Sequence, residues 1–334
     1  MGFVGNYMRN LASLAIGREP TAPLLFSYYV THRCTLRCEY CSDGAGKPFS
    51  EDRVDELSTD QAKRLIGILS GASDTLDITG GEPLMRDDLE ELLTEARACG
   101  MRTVLNTNGL SLPDCPGVMP NCDVLVISLD STCRDELARI TGRAPDQAEQ
   151  ILHAVRYAID NRKACGTCVV LSAVAIPDRL SHAADVLELA RDNDIGFQLS
   201  PQIIGTEIHP DLPGDRDYVA LLDSLIAHKR SGTRVLGVEK YLRGIRDLSD
   251  YRCRPLLMPT IRPDGRMYYP CLESGTAPID LLAAGDYRVA IKTLRRTQAA
   301  AVCDRRCHIF CHMALSLLQA SPLAALGEIK HTRS

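Results

Sequence analysis

The sequence predicts an α/β fold: a partial (β/α)6 TIM-type barrel followed by a small C-terminal cysteine-rich, auxiliary-cluster domain. Three observations predict it. Short apolar, β-branched runs alternate with amphipathic helical patterns from Leu24 to about residue 200. That alternation stops near Gly232, and five of the chain's cysteines follow. The 334 residues are 45% hydrophobic and 24% charged, a globular composition that excludes a disordered or fibrous chain. An open doubly wound sheet is the alternative. In either architecture ligands sit at the carboxyl ends of the strands.

Residues 1–23 form an N-terminal amphipathic helical segment. Val4, Met8, Leu11 and Ala15 recur at helical spacing, with Phe3, Tyr7 and Leu14 beside them. This stripe is expected to dock on the protein body, with contact to a membrane or lipid-like substrate as the alternative. The barrel spans 24–232. Its strands are expected at 24–31, 75–79, 102–107, 123–129, 168–175 and 195–200, and its helices at 59–70, 87–99, 146–161 and 183–192. Right-handed crossovers then make the strands parallel. In the third unit, 233–334, residues 253–271 read as a hairpin turning at Pro263-Asp264-Gly265, with a helix-rich tail behind it.

Charge narrows the partners. Lys and Arg number 38 against 43 Asp and Glu, a net charge of −5, so no broad cationic face awaits a nucleic acid. No apolar run approaches the roughly 18 residues of a spanning helix, and no secretory signal pattern is seen, so a cytoplasmic location is expected. Fourteen cysteines in a reducing compartment read as ligands rather than disulfides.

Cys34, Cys38 and Cys41 stand as Cys-x3-Cys-x2-Cys at the end of the first strand. Three thiolates cannot complete a tetrahedral zinc site alone, but they can hold three irons of a [4Fe–4S] cluster and leave the fourth open. The alternatives are a zinc knuckle completed by His32, or three packed thiols. With an aromatic residue before the last cysteine, and with Gly80-Gly81-Glu82-Pro83 after the second strand, residues 24–200 resemble the radical S-adenosylmethionine (SAM) superfamily. Thr35 departs from the asparagine that many members carry.

The resemblance implies that SAM chelates the open iron through its amino and carboxylate groups. It places Tyr40 against the adenine and the Gly80-Gly81-Glu82 turn at the SAM amino group. Glycines permit close backbone approach there, and Glu82 can accept from an ammonium. Asn106, Asn108, Ser128, Asp130 and Ser172 resemble the family's ribose and carboxylate contacts. Arg139 falls where relatives place an arginine for the SAM carboxylate; a solvated helix arginine is the alternative. Gln198 and Gln202 flank the sixth strand's end, either facing substrate or serving as plain polar termini.

Cys253 and Cys271 lie at the base of the expected hairpin, and Cys303, Cys307 and Cys311 follow at intervals of four on one drifting helix face. Five thiols supply one auxiliary [4Fe–4S] cluster with one to spare; two clusters would need eight. A structural zinc site using His308 or His312 is the alternative. The region resembles the twitch or SPASM domains of radical SAM enzymes, with Gly265 ahead of Cys271. Its tail departs from the common Cys-x2-Cys, so Cys303 and Cys307 are expected as the remaining ligands, with Cys311 next. Cys165 and Cys168 are expected as packing thiols on the far face of the barrel. Cys99, Cys115, Cys122 and Cys133 are likewise read as packed.

By resemblance, the chain reductively cleaves SAM with an electron from a flavodoxin or ferredoxin. It then abstracts hydrogen from an unactivated C–H bond of a small-molecule or lipid-like substrate. Oxidation, crosslinking or carbon–carbon bond formation are the implied outcomes. The rivals are a peptide (RiPP) maturase of the SPASM type, a non-catalytic two-cluster electron carrier and a zinc-bound interaction module. A carrier would have no use for Gly80-Gly81-Glu82 beside an open iron.

Overall fold

The computed structural model describes residues 2–41, 51, 53–271, 277–297 and 307–322. Helix α1 (Phe3–Ala15) precedes six strands: β1 (Phe26–Thr31), β2 (Thr75–Gly80), β3 (Arg102–Thr107), β4 (Val124–Ser128), β5 (Cys168–Ala175) and β6 (Gly196–Pro201). Each pairs in parallel with the next, as the alternation predicts. The crossovers carry α2 (Thr59–Ser70), α3 (Leu89–Ala98), α4 (Arg134–Thr141), α5 (Pro145–Cys165) and α6 (Leu180–Asp192). Local chemistry sets their ends. Ser58 and Gln61 form a reciprocal capping box on α2. Pro145 opens α5, and Gly166 closes it at φ 71°.

Helix α2 buries Ala62, Leu65, Ile66 and Leu69, one stripe at helical spacing. The strand side chains facing the helices, among them Phe26, Tyr28, Leu76, Ile78, Leu105 and Leu171, are completely buried. Their neighbours on the inner face, Asn106, Ser172, Gln198 and Ser200, are only partly covered. A closed eight-stranded barrel packs its interior with layers of branched side chains. Here the inner face mixes those polar side chains with Val104, Val126 and Val170 and forms a partly polar lumen.

After β6 come β7 (Ile203–Ile204), β8 (Glu207–Ile208), α7 (Arg216–Arg230) and α8 (Glu239–Asp247). The hairpin forms where expected but is shorter: β9 (Thr260–Ile261) and β10 (Arg266–Tyr269) pair antiparallel. Gly265, at φ 78°, donates to Arg262 O to close the turn. β10 pairs with β11 (Ala277–Asp280), and β9 lies parallel to β1. Among the described residues, nine strands therefore share one sheet, in the order β11-β10-β9-β1-β2-β3-β4-β5-β6. Helices α9 (Leu281–Ala284), α10 (Tyr287–Thr297) and α11 (Phe310–Gln319) complete the fold. Met258, Met267 and Tyr269 are buried in it.

One expectation is corrected. Helix α1 docks on the body, but with only part of its apolar stripe: Val4 and Met8 are 56% and 58% exposed, while Phe3, Tyr7 and Leu11 pack on the core. Its inward face is Asn6, Tyr7 and Asn10. Asn6 Nδ2 donates to Pro23 O and Ala72 O, both at 2.7 Å, and Asn10 Nδ2 donates to Ala22 O at 2.8 Å. The Tyr7 hydroxyl donates to Leu318 O at 3.1 Å. Those loop carbonyls have to find donors once covered, and the asparagines supply them. No helix among the described residues is long and apolar enough to cross a membrane.

Replacing Asn6 by Ala leaves two covered carbonyls without their donor and should cost about 2–4 kcal/mol. Met8→Ala should stay within about 0.5 kcal/mol. Chemical denaturation of both variants checks the docking face, and equal losses would overturn it.

Candidate active site

The cysteine loop leaves β1 at Thr31 and is gripped from two sides. On one side stands the Gly80-Gly81 turn. Gly81 N donates to Thr31 O at 2.8 Å and Glu82 N to Arg33 O at 2.7 Å. A Cβ on Gly81 would lie 2.2 Å from Arg33 O, and one on Gly80, at φ 137°, would lie 2.2 Å from Thr31 O. The close approach that these glycines permit is thus made to the cysteine loop's own backbone. On the other side, Arg37 N and Glu39 N donate to Thr141 O and Ile140 O at the end of α4, at 3.0 and 3.2 Å. Gly142, at φ 62°, lets Arg37 pass close by.

Glu82 is buried, and its carboxylate is heavily engaged. It accepts from Leu84 N at 2.9 Å, Thr107 Oγ1 at 2.7 Å and Asn108 N at 2.7 Å. Burial pushes its carboxyl up, and these donors work against that shift. Asn108 Nδ2 donates to Thr35 Oγ1 at 3.2 Å, so the hydroxyl of Thr35 gives the loop a tie to β3. Tyr40 donates its hydroxyl to Asp130 Oδ2, while Asp130 Oδ1 accepts from Val174 N at 2.8 Å. Tyr40 and Asp130, both expected at SAM, hold one another and moor the loop to β4 and β5. Burial pushes Asp130 up to about 6.

The three thiols influence one another. Desolvation pushes Cys34, Cys38 and Cys41 all up. The charges of Asp130, Cys41 and Cys34 add to the rise at Cys38, and Cys34 adds to it at Cys41, which reaches about 11. Among the described residues no three such side chains converge on a single-ion site. The thiols are neighbours on one loop, each available to a separate metal atom.

The remaining expected residues are dispersed. Ser128 is exposed at the end of β4, and Ser172 receives a bond from Gln198 Nε2 at 3.4 Å. Gln202 N donates to Ala175 O. Arg139 is 70% exposed and ion-paired with Glu136, whose carboxylate also meets Arg179 Nε at 3.0 Å. Arg179 in turn pairs with Glu39 of the cysteine loop. Sequence reasoning missed Arg179, Glu136 and Gly142, for the contacts that give them a role cross from α4 and α6 to the loop. It also missed Asp77, which accepts from Asn106 Nδ2 at 2.5 Å and from Ser27 Oγ at 3.0 Å. An aspartate in the middle of Thr-Leu-Asp-Ile-Thr was the available signal.

In the second cysteine group, the Tyr251 hydroxyl reaches both Cys253 and Cys307, and Cys271 and Cys307 are buried. Cys307 precedes α11, while Cys311 lies in its first turn beside Tyr241. The single helix face expected for Cys303, Cys307 and Cys311 is therefore corrected, because α11 begins only at Phe310. Cys303 lies outside the described residues. His308 and His312 are buried in the same segment. Of the isolated thiols, Cys122 is buried, Cys99 and Cys115 are partly covered and Cys133 is exposed.

Residues 28–190 match the family model described as the Radical SAM superfamily. A GTP 3',8-cyclase of Rhodococcus opacus is 32% identical over 165 residues, 48% of this chain and 45% of that protein. An AdoMet-dependent heme synthase of Oleidesulfovibrio alaskensis is 27% identical over 175 residues, 50% and 42% of the two chains. The match thus spans less than half the length of these curated relatives. Among solved structures, SuiB of Streptococcus suis bound to S-adenosylmethionine superposes with a TM-score of 0.60 at 15% identity, covering 83% of this chain and 67% of that one. Native anSMEcpe with bound AdoMet gives 0.59 at 13%, covering 92% and 98%. Further structures of the two hold the precursor peptide SuiA and a Kp18Cys peptide. At such identities the likeness concerns the fold. With Cys34, Cys38 and Cys41 on the loop after its first strand, residues 28–190 are a domain of the radical SAM superfamily.

Proposed function

We propose that this chain cleaves SAM reductively and uses the radical formed to take hydrogen from an unactivated C–H bond of its substrate. One observation carries the proposal: three neighbouring thiols on a loop clamped between the Gly80-Gly81 turn and the end of α4, above a partly polar lumen. The donor set fits a [4Fe–4S] cluster with one open iron. When bound together with SAM, that cluster supplies one-electron cleavage of SAM to methionine and a 5′-deoxyadenosyl radical.

The chain's own residues do the rest. Cys34, Cys38 and Cys41 hold three irons, and metal binding offsets the cost of ionising three desolvated thiols. Glu82 keeps acceptor capacity for the SAM ammonium while its three internal bonds fix its position. Asn106, Asn108, Ser128 and Ser172 offer polar groups at neighbouring strand ends for the ribose and carboxylate. Tyr40 and Asp130 keep the loop moored to β4 and β5. Cys253, Cys271 and Cys307, with Cys303 or Cys311 as fourth ligand, would hold one auxiliary [4Fe–4S] cluster, and a flavodoxin or ferredoxin would deliver the electron.

A second reading is that the substrate is a peptide, as in a RiPP maturase. The peptides held in the SuiB and anSMEcpe structures favour it, since the fold is shared over most of this chain.

Anaerobically reconstituted protein should carry about eight irons per chain, four for each cubane. Replacing Cys34, Cys38 and Cys41 together by Ala should leave about half of that iron and abolish 5′-deoxyadenosine formation. Persistence of reductive SAM cleavage in the triple variant would sink the assignment, and about four irons with bound zinc in the wild type would assign the second group to zinc.

A further test addresses the clamp. Gly81→Ala drives a methyl into Arg33 O and should displace the cysteine loop without touching a ligand. The variant should fold, yet bind less iron in the first site and form 5′-deoxyadenosine at least about tenfold more slowly, as a roughly 1 Å misplacement can cost more than that. Unchanged iron and rate would show that the loop does not depend on this contact.

A further inference from the structure

Asp77 takes no part in holding the cysteine loop. It stands on the inner face of β2, three residues before Gly80, so its carboxylate lies roughly 10 Å below the strand's end at about 3.3 Å per residue. Ser27 of β1 and Asn106 of β3 each give it one hydrogen bond, and both are neutral. Among the described residues no cation acts on it. Tyr29, Thr79, Val104, Ser172 and Gln198, which share the inner face, add no charge at neutral pH, and Arg102 lies two register positions beyond Val104 on β3. A buried carboxylate without a cation is costly and is seldom kept for the sake of the fold. Each of its oxygens accepts one bond and keeps a lone pair, so Ser27 and Asn106 orient the group without saturating it.

We propose that Asp77 is the substrate anchor of the lumen and that the substrate presents to it a cationic nitrogen, an ammonium or amidinium. The proposal rests on the reading above, in which SAM occupies the cluster end and the substrate lies beneath it. A neutral donor would leave the charge uncompensated, and a hydrocarbon tail at this depth would bury the carboxylate against methylenes. The anchor therefore opposes a lipid-like substrate whose apolar end enters the barrel.

The test uses reconstituted holoenzyme with SAM, and n-butylamine, n-butylguanidine, n-butanol and butyrate as probes, followed by saturation-transfer NMR. The two cations should bind in the lumen and lose at least tenfold in affinity in Asp77→Asn, while butanol and butyrate bind weakly and equally to both proteins. Butanol binding as well as butylamine, or unchanged amine binding in the variant, would overturn the anchor. A loss of SAM affinity in Asp77→Asn that matches the loss of amine binding would assign the carboxylate to SAM and also overturn it.

Thermal melting distinguishes an anchor from a structural carboxylate. Burial holds the carboxyl of Asp77 up at about 6, above the ordinary value of 3.8, so the native state loses stability as pH rises from about 4 to 6 and does not regain it above. Asp77→Asn lacks that loss and should melt about 3 °C higher than wild type at pH 8, with the gap closing near pH 4. A lower melting temperature at pH 8 would make the carboxylate structural. Should the variant not fold, the wild type carries the test alone: butylamine should bind about tenfold more weakly at pH 5 than at pH 7, as the carboxylate takes up its proton. Ser27, Asn106 and Thr79 carry no group that titrates in that window, and an affinity flat across it would overturn the proposal. Wild-type 5′-deoxyadenosine formation, measured without any probe, tests the radical SAM reading separately.

Discussion

The top of the barrel is organised around the buried carboxylate of Glu82. Its two oxygens take Leu84 N and the hydroxyl of Thr107 on one side and Asn108 N on the other, locking the end of β2 to the end of β3. The backbone N–H of the same residue donates to Arg33 O, so one residue fixes both the strand pair and the cysteine loop. Three donors offset the cost of taking a carboxylate out of water. None of these bonds uses a cysteine thiol, so they shape the loop without taking up its ligands, which is a condition for a precise site.

The barrel was legible because two periodicities alternate along the chain, and every strand and helix expected between residues 24 and 200 is present within a few residues. The cysteine loop and the glycine turn were legible as motifs. Their mutual grip was not, since it depends on backbone atoms of Thr31, His32 and Arg33 that carry no side-chain signal. Helix α4 escaped because its eight residues, Arg-Asp-Glu-Leu-Ala-Arg-Ile-Thr, are too short and polar to show a clear stripe. Helix α7 could have been found: Tyr218, Leu221, Leu222, Leu225 and Ile226 repeat at helical spacing and are its buried face.

Two regions mix the usual sense of inside and outside. In α1 Val4 and Met8 of the apolar stripe face solvent while Asn6 and Asn10 face inward beside Tyr7, and on the inner face of the barrel Asp77, Asn106, Ser172 and Gln198 stand among Val104, Val126 and Val170. Periodicity finds the faces of an element, but the neighbours decide which face is wanted. Unsatisfied loop carbonyls chose the asparagine face of α1. In the barrel, the shell of helices claims the largest apolar side chains of each strand, Phe26, Tyr28, Leu76, Ile78, Leu105 and Leu171, and leaves valines and polar groups to the centre.

Strand β1 has a double membership. Its last residue leads into the first cysteine loop, and at Ser27 and Tyr28 it pairs with β9, the strand whose hairpin leads to Cys271. The two cysteine-bearing regions therefore hang from one continuous sheet. Their separation is set in part by strand pairing, as the spacing of rungs sets the width of a ladder. A process that depends steeply on that distance would take its pace in part from the fold itself.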